Sequence, residues 1–127
     1  MGETGDLFER LFRLNEKLRG PGGCPWDGKQ TILSLRECLE SESAKVLSAI
    51  DAGDMENLCE ECGDLLYNIL FIASIAQEKG EFTINDVLRR QYEKIISRHP
   101  YVFGSVMADS PEHAHELYLK AKREGKK

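Results

Sequence analysis

The chain has 127 residues, 41% of them hydrophobic and 31% charged, with a net charge of -5. That length suits one domain, spanning 1–127, that buries a core alone or shares one with a second copy. The negative balance excludes a general attraction to nucleic acid polymers or acidic lipid. No stretch is long and apolar enough to span a bilayer, and the opening Met1-Gly2-Glu3-Thr4-Gly5-Asp6 has neither the basic region nor the apolar run of a signal peptide. A cytoplasmic location without membrane attachment is expected, with the four cysteines reduced.

Leu7, Phe8, Leu11, Phe12, Leu14 and Leu18 recur at helical spacing, with Asp6 as the expected N-cap. Gly20-Pro21-Gly22-Gly23 ends that helix, and a loop through Cys24-Pro25-Trp26-Asp27 runs to about Gln30. A second helix starts near Thr31 or Ser34, with Leu35, Cys38, Leu39, Val46, Leu47 and Ile50 as its apolar face. Asp51-Ala52-Gly53-Asp54 is a tight break, and Asp54 can cap a third helix that runs to about Lys79, before Gly80. Thr83 to Asn85 opens a fourth helix that must stop before Pro100. Ser110-Pro111-Glu112 reads as an N-cap followed by proline in the first turn, opening a short final helix over 110–124. Its basic end, Lys120, Lys122, Arg123, Lys126 and Lys127, complements the helix dipole.

No segment alternates with period two over a strand's length. The expected fold is all-α, an antiparallel bundle of about five helices with its main body over 6–103. The third helix is apolar on more than one face, which favours completing the core by dimerisation.

The short break at Gly53 makes the second and third helices antiparallel neighbours. Residues equally distant from it lie at one height, so Glu42 falls level with Gly63, between Glu61 and Asp64. Those two share a helix face at a spacing of three, and Gly63 would let the backbones approach. Three converging carboxylates are either a site for Mg²⁺ or Mn²⁺, suited to phosphate chemistry, or solvated groups on a polar face. Cys59 and Cys62 form a C-x-x-C in mid-helix, a poor geometry for zinc. Cys38 and Cys62 are expected to pack in the core. His99 reads either as an organiser of a helix end or as a catalytic base, and His113 and His115 as surface residues.

Cys24-Pro25-Trp26-Asp27 with Gln30-Thr31, then Glu61-Cys62-Gly63-Asp64, Phe82-Thr83, Lys94, and Arg98-His99-Pro100, resemble in order the motifs of the MazG family of nucleoside triphosphate pyrophosphohydrolases. The resemblance implies an all-α, usually dimeric protein that cleaves nucleoside triphosphates to monophosphate and pyrophosphate. It implies that Glu42, Glu61 and Asp64 hold Mg²⁺, with Mn²⁺ possible, and form the catalytic centre. It further implies that Lys94 and Arg98 bind phosphate. Trp26 either packs near the base or anchors its loop.

The chain departs from the family pattern on the second helix, where Ser41, Glu42 and Lys45 stand at three family glutamates. Tyr92 stands at a common asparagine and Tyr118 at a common tryptophan. A protonated lysine does not ligate Mg²⁺. Lys45 either pairs with the carboxylates and silences the site, leaving a nucleotide-binding or dimerisation module, or contacts a phosphate directly.

Overall fold

The computed structural model describes residues 2–125. These form seven helices, α1 (Glu3–Arg19), α2 (Pro25–Gly28), α3 (Arg36–Ala52), α4 (Met55–Glu78), α5 (Ile84–Ser97), α6 (Pro100–Phe103) and α7 (Pro111–Gly125), with a 3-10 turn at Leu33–Leu35 leading into α3. The all-α expectation holds. The count exceeds five because two segments read as loop, around Trp26 and after His99, each form one helical turn opened by proline. Contacts divide the chain into a first unit ending at Ile84 and a second beginning at Asn85.

In the first unit α4 is the central helix, with α1 and α3 packed on it. Phe12 of α1 is buried against Leu70 and Ala73 of α4, with Phe8, Leu11, Phe82 and Ile84 around them. A second cluster joins Leu35, at the root of α3, to Phe71 and Ile75. Each large side chain buried in this way contributes about 1.5–3 kcal/mol. Asn15 is fully buried, and its Nδ2 donates to the Tyr67 hydroxyl at 3.1 Å.

Turn chemistry sets the path. Gly53 adopts φ 66°, a left-handed conformation that glycine takes without Cβ strain. Asp54 then caps α4 by accepting from the Asn57 amide at 3.1 Å, as its position predicts. At the other end of α1 a Cβ on Gly23 would lie 2.4 Å from the Leu18 carbonyl oxygen, so the loop rests on the helix end only because residue 23 is glycine.

Some expectations fail locally. Gly2, not Asp6, precedes α1, and Asp6 sits in its first turn, where it complements the dipole without capping. Leu47 and Ile50 are exposed, and the buried residue of α3 is Ala49. Cys62 is exposed rather than packed, as is Cys59, and all four thiols are free.

In the second unit α6 packs against α7. The Ser110 hydroxyl accepts from the His113 amide at 3.1 Å, the expected cap, and α7 extends for 15 residues. Lys122 and Arg123 lie in its last turn. Lys126 and Lys127 of the basic cluster fall outside the described residues.

Candidate metal centre

Glu42 lies eleven residues before Gly53 and Asp64 eleven after it, so an antiparallel pair turning at Gly53 brings them level. One carboxylate oxygen from each of Glu42, Glu61 and Asp64 lies within 4.8 Å of the others. Glu42 and Glu61 are half-buried and Asp64 is exposed. The Oε2 atoms of Glu42 and Glu61 are both buried and have no hydrogen-bond partner. Buried carboxylate oxygens without donors are costly, and an all-oxygen set of this kind suits a hard divalent cation.

Gly63 has no part in the approach of the two helices. It is exposed, and a Cβ built there meets nothing within 4 Å. The turn that leads into α3 packs on α4 where Leu35 meets Phe71 and Ile75.

Lys45 sits at the edge of the cluster. Its Nζ donates to Glu42 Oε1 at 3.2 Å. That hydrogen bond holds the ammonium above the usual lysine range, with the charges of Glu42, Glu61 and Asp64 adding to it. The lysine thus neutralises one oxygen of Glu42 and leaves the buried Oε2 bare.

Trp26 stands on α2 and is 56% exposed, so its ring does not anchor the loop. The anchor is Arg19, which the sequence reading missed. Its Nη1 donates to the carbonyls of Asp27 at 2.6 Å and Gln30 at 3.2 Å. Its Nε and Nη2 donate to Glu78 Oε2 and Oε1 at 2.7 and 2.9 Å. The guanidinium also lies 5.6 Å from the centre of the Phe71 ring. Arg19 and Glu78 are 59 positions apart, beyond the reach of any local spacing rule.

Further along, Gln30 Nε2 donates to the Trp26 carbonyl at 3.0 Å, and the Ser34 hydroxyl donates to Gln30 Oε1 at 2.7 Å. The amides of Thr31 and Ser34 each donate to the other's hydroxyl, at 2.9 and 3.0 Å, and so launch the turn into α3.

In the second unit Lys94 lies in the last turn of α5 and Arg98 directly follows the helix, its amide donating to the Lys94 carbonyl at 3.0 Å. Lys94 is exposed and Arg98 half-buried, with the Arg98 guanidinium 6.0 Å from the Tyr118 ring centre. His99 bonds through Nδ1 to the Ile95 carbonyl at 2.6 Å, and its ring packs 5.5 and 5.4 Å from those of Tyr101 and Tyr118. These contacts fit the organiser role of His99.

An antiparallel helix pair closing three carboxylates on one level defines a helical protein with a carboxylate cluster. Comparison with known proteins gives the family. The family model for the MazG nucleotide pyrophosphohydrolase domain matches residues 30–103. The chain is 46% identical to the nucleoside triphosphate pyrophosphohydrolase/pyrophosphatase MazG of Thermotoga maritima over 100% of this chain and 49% of that one. It is 38% identical to the nucleoside triphosphate pyrophosphohydrolase of Escherichia coli, over 81% of this chain and 40% of that one. It superposes on the crystal structure of a mazG-related protein from Thermotoga maritima with a TM-score of 0.74 at 35% identity, covering 91% of this chain and 98% of the other. The chain belongs to the MazG family. It spans half or less of the length of these two curated relatives.

Proposed function

We propose that this chain is a hydrolase of nucleoside triphosphates that releases nucleoside monophosphate and pyrophosphate and depends on Mg²⁺ or Mn²⁺ held by Glu42, Glu61 and Asp64. The observation that carries the reading is the pair of buried, unpartnered oxygens, Glu42 Oε2 and Glu61 Oε2, beside Asp64. The curated relatives named as nucleoside triphosphate pyrophosphohydrolases support the reaction class.

A divalent cation at such a site neutralises phosphate oxygens and lowers the pKa of a bound water. The three carboxylates hold the cation and are the catalytic centre. Lys94 and Arg98 are cationic groups of the type that binds phosphate, and they stand four residues apart at the end of α5. The exposed ring of Trp26 is suited to stacking on a base. The reading includes a cytoplasmic homodimer. Its support is the apolar surface of α3 and α4 at Leu47, Ile50, Leu66 and Ile69.

A second reading, a silent nucleotide-binding or dimerisation module, is favoured by one observation. The Lys45 ammonium already occupies part of the cluster at Glu42. Incubating the chain with each nucleoside triphosphate and Mg²⁺ or Mn²⁺ separates the two. The first reading expects equal amounts of monophosphate and pyrophosphate. Diphosphate and orthophosphate as primary products would refute the bond assignment. Nucleotide binding without turnover selects the silent module.

A further inference from the structure

We propose that Arg19 is a positioning residue. By holding the carbonyls of Asp27 and Gln30, it fixes the turn that presents Trp26 to a nucleotide. The inference rests on the reading of Trp26 as a base-stacking residue, and it extends that reading to a group outside the loop.

The α2 helix has four residues. A single turn does not hold itself together in water, because nucleation is unfavourable and few hydrogen bonds repay it. Arg19 donates to the carbonyl of Asp27 in that turn, which also accepts the Gln30 amide at 3.3 Å, and to that of Gln30 two residues past it. The guanidinium is itself held in place. Two parallel bonds to Glu78 fix its plane, and Phe71 lies against it. The side chain is 7% exposed.

Four of the roughly five N–H donors of the fork are thus used, in three directions. Phe71 also packs on Leu35, where α3 begins, and α3 carries Glu42. The clasp therefore ties the ends of α1 and α4 both to the loop that displays Trp26 and to the helix that supplies a carboxylate. The two bonds to loop carbonyls point to loop geometry.

Trp26 is the single tryptophan of the chain, so its fluorescence reports the loop directly. Arg19→Lys keeps a positive charge for Glu78, but one ammonium cannot reach a carboxylate and two separated carbonyls together. In the full chain, this variant is expected to keep the helical circular dichroism signal. The fast component of the Trp26 anisotropy decay should grow about twofold, and KM for the triphosphate should rise about tenfold with kcat changed less than about twofold.

Glu78→Ala is the second variant, to be used if Arg19→Lys does not fold. Glu78 is half exposed but Arg19 is only 7% exposed, so this variant also loses stability, and it is read at a temperature where its helical signal matches wild type. It frees the guanidinium plane while keeping the loop bonds, and should move both readouts the same way by about threefold or less. A folded variant with unchanged Trp26 mobility and unchanged KM overturns the proposal, as does a loss confined to kcat. If the wild-type chain hydrolyses no triphosphate, the function reading alone fails. The difference in Trp26 mobility between wild type and Arg19→Lys then decides the clasp.

Discussion

Lys45 is the residue on which the activity turns. Its ammonium lies 3.2 Å from Glu42 Oε1 and feels Glu61 and Asp64 as well. Lys45→Glu removes that cation and adds an oxygen ligand three positions from Glu42, on the same helix face. We expect Mg²⁺ and Mn²⁺ affinity to rise roughly tenfold, as ligand charge count dictates, and turnover to rise with it. The metal-free variant should melt at lower temperature than wild type, because four carboxylates repel, and saturating Mg²⁺ or Mn²⁺ should reverse the loss. Asp64→Asn should weaken metal binding in either background. Calorimetric titration and thermal melts, with and without metal, give these values. A drop in activity on Lys45→Glu, from a competent wild type, would make Lys45 a phosphate-contacting group instead.

At the scale of elements, the ends of α1 and α4 are joined by a pair with a defined pH response. The Arg19 hydrogen bond holds the Glu78 carboxylate below its ordinary value of 4.5, and the Arg19 charge acts in the same direction. A depressed native pKa means that the native state binds fewer protons than the unfolded chain at intermediate pH. The stabilisation is therefore complete above about pH 5 and is lost as pH falls through the native value. Because Glu78 is half exposed, its size is about 0.5 kcal/mol or less after solvent screening. Urea midpoints of wild type and Glu78→Gln should differ by a constant amount above about pH 5 and converge in acid. A difference that persists unchanged to pH 3 would show that the pair does not act through charge.

At the scale of the whole molecule, the question is how α3 and α4 are covered. Leu47 is 62% exposed, Ile50 54% and Ile69 43%, in a chain whose core is small. Exposed apolar surface of this kind favours association. We expect a homodimer by sedimentation at micromolar concentration, and dissociation by at least about tenfold on Ile50→Glu. A monomeric wild type would leave the dimer reading without support.

Sequence alone determined the helix pair and the level at which its carboxylates meet. Gly53 and Asp54 are local signals whose chemistry is complete within a few residues, and helical rise then places Glu42, Glu61 and Asp64 by counting. The order of motifs likewise gave the family. Other features depended on contacts between segments distant in sequence. The clasp of Arg19 with Glu78 and the loop carbonyls has no periodicity to betray it. The exposure of Cys62, Leu47 and Ile50 follows from which neighbours α3 and α4 have, which an amphipathic pattern does not specify. Gly63 misled because a glycine beside a site invites a packing role, whereas the space beside it is open. Local hydrogen bonding and helical geometry are written in short stretches of sequence. Burial, and the partner a charged side chain takes across the fold, are decided only when the helices come together.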